Sequence, residues 1–237
     1  MARRKQSEFG DVATRDRILE SARKHFLKSG FQAAPLRKIA EDAGFTSGAL
    51  YGYFASKKEL FYAITDPVAK AAMRKLDSIR AEMDTPPAEK RLLSMGRIYY
   101  PHIPEIVDIF LSDRDAVKLI VYGSKGTKYE HFVDNIVSRN LDAINDAVGK
   151  TKGRIHPLER EVMDTLVEGY IATLVRLIVS DKDRETIIKC MEAVGRVYEN
   201  GIVALMRAGD TKKSSPAKSG RKPGNTRKSS PAKGGRK

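Results

Sequence analysis

The chain has 237 residues, 41% of them apolar, a formal charge of +14 and a single cysteine, Cys190. The length suits one large domain or two small ones, the lone cysteine excludes an intrachain disulfide framework or a cysteine metal cluster, and no run approaches the roughly 20 apolar residues of a membrane span. Charge is unevenly spread: residues 1–65 carry +5, residues 212–237 carry +10 and the stretch between carries −1, and basic ends around a neutral middle point to an anionic polymer such as nucleic acid.

The basic start, MARRKQSEFG, is followed by no apolar h-region, so no signal peptide is expected and a reduced, cytoplasmic setting is. Residues 1–13 read as an arm. Its Arg3-Arg4-Lys5 suits a flanking minor groove and suits a plain solvated terminus equally well. Residues 14–29 read as a helix capped by Thr14, with Ile18, Leu19, Ala22 and Phe26 on one stripe and Gly30 as its stop. Pro35 suits the first position of a second helix, because its missing N–H costs nothing there. Leu36, Ile39, Ala40 and Ala43 give that helix a buried face, and Gly44 supplies a left-handed stop. Thr46 caps a short third helix through Tyr53, with Leu50 and Phe54 turned inward. Ser56-Lys57-Lys58-Glu59 is a capping box that opens a fourth helix backed by Leu60, Phe61 and Ile64.

Beyond residue 65 helical spacing dominates. Pro86-Pro87 breaks one helix, and Pro101 with Pro104 breaks another. The spacing predicts helices over 106–122, 128–148, 157–180 and 184–208, with 123–127 as a loop. No alternating segment argues for a sheet, so the class is all-α. In the tail, KSSPAKSGRK at 213–222 recurs as KSSPAKGGRK at 228–237. No apolar residue larger than alanine occurs there, so disorder is expected.

A helix, a glycine turn and a short capped helix make a helix-turn-helix. The second helix must enter a major groove about 12 Å wide. Ser47, Gly48, Ala49 and Gly52 keep its reading face small, and Tyr51 adds a hydroxyl.

Across about residues 14–64 the sequence resembles the N-terminal domain of the tetracycline-repressor (TetR) family. Ile18-Leu19, Phe26, Gly30-Phe31, Ile39-Ala40, Ala43-Gly44, Gly48, Leu50-Tyr51, Tyr53-Phe54, Ser56-Lys57 and Leu60 carry the match. The resemblance implies a three-helix DNA-binding domain over 14–64, a larger helical ligand-binding and dimerisation domain over 65–209, and outside both the basic tail of 210–237. It implies that Arg37 faces the groove, where a guanidinium bonds guanine O6 and N7 in bidentate fashion. Ser47 and Gly48 would approach bases, and Thr46 and Tyr51 would hold phosphates. Lys57 would strengthen the positive end of its helix toward phosphate. Three positions depart from the family. Ala34 stands where a capping Thr or Ser is usual, Gly52 replaces a large polar side chain, and Ser47 replaces Lys, Arg or Pro.

The resemblance further implies a ligand-responsive repressor, double-stranded DNA as partner, and a homodimer built on the last two helices that reads a palindromic operator with half-sites roughly 34 Å apart. An unknown small-molecule effector would sit among the middle helices, with Tyr99, His102, Phe110, Tyr122 and Tyr170 as candidate contacts. The alternative is an architectural protein that coats DNA through its tail, since ten positive charges bind phosphates without sequence preference. No enzyme, metal or cofactor is expected. G-x-S-x-G and H-E-x-x-H do not occur. Gly149-Lys150-Thr151 mimics the end of a phosphate loop, but Ile144 stands where its first glycine belongs.

Overall fold

The computed structural model of the chain describes residues 2–149 and 157–211. The repeat tail from 212 on and the Arg3-Arg4-Lys5 side chains lie outside the residues and side chains described. Among the described residues every regular element is a helix. The first, α1, spans Ala2–Ala33 and runs through Thr14, so Thr14 lies inside a helix and does not cap one. Gly30 interrupts α1 at φ 72°, the left-handed backbone expected of the stop. Next come α2 (Leu36–Asp42), α3 (Ser47–Tyr53) and α4 (Lys57–Met83).

These helices enclose one apolar centre. Ile18, Ala22 and Phe26 of α1, Ile39 of α2, Leu50 of α3 and Leu60 with Phe61 of α4 are fully buried. Each of the large side chains among them contributes about 1.5–3 kcal/mol by leaving water. Phe26 and Phe31 both meet the Phe61 ring edge-on, with centroids 5.2 and 5.3 Å away. The quadrupole of an aromatic ring favours that geometry over a face-to-face stack. The buried Ser21 hydroxyl donates to the Ile39 carbonyl at 2.8 Å, and His25 meets Asp42 at 2.6 Å, so α2 is pinned to α1 twice.

At 27 residues α4 is about 40 Å long. It crosses the expected division at 64/65 without a break and carries the N-terminal core into the rest of the chain. There follow α5 (Ala88–Tyr99), a 3-10 turn at Tyr100–His102, α6 (Ile103–Leu111), α7 (Arg114–Tyr122), α8 (Phe132–Gly149), α9 (Pro157–Ile178) and α10 (Arg184–Thr211). Pro86-Pro87 separates α4 from α5, and Pro101 sits in the 3-10 turn, as the prolines require.

The helix expected over 106–122 is two helices. Its apolar spacing runs on, but Asp113 adopts extended φ and accepts a hydrogen bond from the Ala116 N–H at 2.9 Å, opening α7 afresh. The helix expected from 128 starts at Phe132. The Ser124 hydroxyl bonds the carbonyls of Ile120 and Tyr129, and Thr127 bonds Ser124, so residues 124–129 form a closed turn.

Candidate nucleic-acid interface and cavity

The turn between α2 and α3 depends on Gly44. Its φ is 81°, and a Cβ there would lie 2.7 Å from the Arg17 guanidinium. Thr46 has extended backbone, and its Oγ1 accepts from the Ala49 N–H at 3.1 Å, as a cap should. Leu50 is buried toward the core, and Phe54, at the helix end, is buried with it. The outer face of α3 is left to Gly48, Ala49, Tyr51 and Gly52, all exposed, with Ser47 partly so. Nothing among the described residues demands glycine there. A Cβ on Gly52 would meet no atom within 4 Å, and one on Gly48 only the Thr46 hydroxyl at 3.8 Å. Gly in a helix costs about 0.5–1 kcal/mol relative to Ala. That cost with no internal return is what a face cleared for an outside surface would show.

The other expected contacts fall around this face. Arg37 lies in the first turn of α2 with its side chain 85% exposed, and its Nε donates to Glu41 at 2.7 Å. That bond and the charge of Glu41 hold its guanidinium more firmly protonated than usual. Ala34 leaves α2 without a side-chain cap, and the capping position falls to Pro35. Tyr51 is 54% exposed. Lys57 is turned back into the chain. Its ammonium donates to the Gln32 carbonyl at 3.0 Å and sits 5.0 Å over the Phe31 ring, and burial lowers its pKa. The capping box forms with a shift of register: Ser56 caps the Glu59 N–H at 3.1 Å, and the Glu59 carboxylate reaches the Ala55 N–H at 2.6 Å.

Two arginines that the sequence did not single out belong to the same surface. Arg15 stacks over Phe54 at 5.3 Å and Arg17 over Phe45 at 5.0 Å, and both are exposed. They bring α1 charge beside the turn. The signal was present as two basic residues in the first helix, but only the fold brings them to Phe45 and Phe54.

A second feature lies beyond the N-terminal core. A cavity of about 170 Å³ is walled by α4 through α10, with Phe110, Ile120, Val121 and Leu174 among its apolar sides. Tyr99, Phe110 and Tyr170 line it as expected. His102 and Tyr122 do not: His102 Nε2 meets Glu82 at 2.8 Å on the surface of the bundle, and Tyr122 is 69% exposed at the end of α7. His102 stands one helical turn from the lining residues Tyr99 and Ile106, and Tyr122 directly follows the lining Val121, offsets that apolar periodicity does not resolve. Burial pushes the Tyr99 phenol up to about 12 and raises Tyr170 further, so both stay neutral.

The cavity and the helix-turn-helix share walls. Val117, Ile120 and Val121 of α7 line the cavity. The first residue before α7, Asp113, takes both Arg23 terminal nitrogens of α1 at 2.5 and 2.7 Å. The residue after it, Gly123, accepts the Phe31 N–H at 2.7 Å. Both ends of α7 are thus tied to α1. The far end of α4 contributes Leu76 and Met83 to the cavity, while its near end holds the core of the N-terminal domain.

Comparison with known proteins agrees with this geometry. The family described as "Bacterial regulatory proteins, tetR family" matches residues 18–64. The HTH-type transcriptional repressor AcnR of Corynebacterium diphtheriae is 25% identical over 166 residues, 68% of this chain and 80% of that protein. The HTH-type transcriptional regulator TtgR of Pseudomonas putida is 42% identical over 66 residues, 28% of this chain and 30% of the relative. The uncharacterized HTH-type transcriptional regulator YfiR of Bacillus subtilis is 37% identical over 60 residues, 25% of this chain and 29% of the relative. Two of these three relatives are therefore matched over less than a third of their own length.

Proposed function

We propose that this chain, whose residues 18–64 match the family of bacterial regulatory proteins described as tetR, is a DNA-binding transcriptional regulator, and more narrowly a cytoplasmic, ligand-responsive repressor that acts as a homodimer on a palindromic operator. The observation that carries the reading is α7, which is at once a wall of the cavity and, through Asp113 and Gly123, the anchor of α1. A molecule in the cavity that shifts α7 shifts α1, and α1 carries α2 and α3. A ligand acts only by binding one of the two arrangements better than the other.

Arg37, Ser47, Gly48 and Tyr51 are proposed to meet DNA directly, with Thr46 holding a phosphate while it caps α3. Lys57 is proposed to reach phosphate by leaving the Gln32 carbonyl. Arg15 and Arg17 add flanking charge. The homodimer is supported by Val162 of α9 and Val197 of α10, apolar side chains 39% and 69% exposed. Gly201 also leaves open space on α10, but Gly169 and Gly195 are filled from within by Tyr198 and Tyr100. Those two glycines make room for the chain's own tyrosines. A repressor is favoured over an activator because AcnR, matched over 80% of its length, is named a repressor.

The test is binding of the full chain, and of the chain lacking 212–237, to random genomic fragments at about 0.15 M salt, with sequencing of what is retained. Enrichment of one short palindrome by both forms is expected. Retention without sequence preference that vanishes with the tail would overturn the repressor in favour of a DNA-coating protein.

A further inference from the structure

The cavity walls hold a pattern that the regulator reading does not use. Of the residues that line it, all are aliphatic, Phe, Met or Gly except six: Tyr99, Tyr100, Tyr170, Tyr198, Asn140 and Glu199. Among the described residues that line it, none is lysine, arginine or histidine. Asn140 is occupied by the Ile136 carbonyl of its own helix at 2.8 Å. The four tyrosines and Glu199 come from α5, the 3-10 turn, α9 and α10. The Tyr100 hydroxyl donates to the Glu199 carboxylate at 2.7 Å. Tyr170 and Tyr198 pack ring against ring at 5.1 Å. Arg196, which lies near enough for its charge to be felt at Tyr100, pairs with Glu192 at 4.0 Å and does not line the cavity.

Three helical glycines make this end possible. A Cβ on Gly96 would collide with both Glu199 carboxylate oxygens, one on Gly195 would lie 2.8 Å from the Tyr100 ring, and one on Gly169 would lie 3.0 Å from the Tyr198 hydroxyl. Each glycine sits where alanine would suit a helix better. Each lies against one member of the same cluster, so the three glycines and the cluster pack as one unit.

We propose that this cavity takes a lipophilic cation, an amine or quaternary ammonium whose positive head lies against Glu199 and the tyrosine faces while its apolar body fills the aliphatic remainder. The proposal rests on the reading of the cavity as the effector site and names its ligand class. Ring faces attract cations through their quadrupole, more strongly where water is excluded. A lone carboxylate in an apolar wall favours a positive partner and rejects a negative one. With no basic side chain among the described lining residues, an acyl carboxylate or a phosphate ester would find no counter-charge from them.

The test uses three probes of equal chain length on the full protein: octyltrimethylammonium, octan-1-ol and octanoate, each titrated calorimetrically. The cation is expected to bind at least about tenfold tighter than the alcohol, a difference of roughly 1.4 kcal/mol, and octanoate weakest of the three. Glu199→Gln keeps the size of the side chain and an acceptor for the Tyr100 hydroxyl. It should bring the cation down to the level of the alcohol and leave the alcohol unchanged. Binding of octanoate as tight as that of the cation, or a cation preference that survives Glu199→Gln, overturns the ligand class. Binding of the alcohol would then leave the effector site itself standing. If none of the three binds, the effector reading falls, and the ligand class falls with it.

Discussion

The clasp between α7 and α1 is the contact on which the regulatory reading depends most, and it can be cut without emptying the core. Asp113 has two duties: it caps α7 through the Ala116 N–H and it holds Arg23 through both oxygens. Asp113→Asn keeps the cap, since asparagine is as good a capping residue, but removes the charge and the two-pronged acceptor. Hydrogen bonds to charged groups contribute about 1.5–3 kcal/mol when screened from water. Here the side chains of Arg23 and Asp113 keep 29% and 30% of their exposure, which brings the expected loss down to about 1–2 kcal/mol. Asp113→Ala also removes the cap and should cost about 1 kcal/mol more. Arg23→Met keeps most of the packing of the stem. Urea unfolding of the two single variants and the Arg23→Met/Asp113→Asn double variant closes a cycle, and a coupling of about 1 kcal/mol or more is expected. The same proteins would be titrated with operator DNA, with and without ligand. Weaker binding to DNA and a smaller ligand effect should accompany the lost clasp. A coupling below about 0.3 kcal/mol, together with an unchanged ligand effect, would refute the idea that α7 positions α1.

The remaining predictions concern the surface of α3 and one half-buried carboxylate. Gly52→Ala meets open space and should raise stability by about 0.5–1 kcal/mol in thermal unfolding. Gly48→Leu should leave stability within about 0.5 kcal/mol yet weaken operator binding at least tenfold, measured by fluorescence anisotropy on labelled DNA; equal losses of stability and binding would mean the face is structural. Thr46→Val removes the cap on Ala49 and should cost about 1 kcal/mol in urea unfolding. Burial raises Asp66, but hydrogen bonds from Lys128, Lys70 and the Tyr129 hydroxyl outweigh it and lower it from 3.8 to about 2. Its contribution, of the order of 2 kcal/mol, is therefore present above pH about 4 and lost as pH falls toward about 2. Unfolding titrated across that window should flatten in Asp66→Asn.

Much of the DNA-binding domain was legible because its signals are local. Gly44, the Thr46 cap and the Ser56-Glu59 pair each act within four residues, and the burial of Leu50 and Phe54 follows from helical spacing. The early start of α1 was hidden because residues 2–13 carry almost no apolar stripe, so Thr14 looked like a beginning. The break at Asp113 was hidden for the opposite reason: apolar spacing continues through it, and only the Arg23 partner 90 residues away explains why the chain turns there. The cavity was the least legible. Its wall is drawn from seven helices and the turn between two of them, so which tyrosine faces inward depends on helix rotations that no single segment encodes. Tyr99 and Tyr170 line the cavity, whereas His102 of the 3-10 turn and Tyr122 of α7 do not, although all four lie in apolar-patterned segments. Tyr100, Tyr198 and Glu199 passed unnoticed because the glycines that seat them lie on neighbouring helices.

These magnitudes bound how the cavity can speak to DNA. A ligand that acted only by breaking the Arg23–Asp113 clasp would shift the balance between two arrangements by no more than the clasp is worth, about 1–2 kcal/mol, or roughly 5- to 30-fold in DNA affinity. A switch from one state to the other at 99% needs about 5.5 kcal/mol. The difference has to come from the other shared wall. Helix α4 carries Leu76 and Met83 at the cavity and Leu60 and Phe61 in the N-terminal core, on one continuous helix. Its interior Pro67 removes one backbone hydrogen bond between those two ends, which is where a helix of this length bends most readily. Pro67→Ala should therefore stiffen α4, stabilise the chain in thermal unfolding, and reduce the ligand effect on operator affinity more than loss of the clasp does. If Pro67→Ala leaves that effect intact while Asp113→Asn abolishes it, the signal runs through α7 alone, and the ligand effect must stay within about 30-fold.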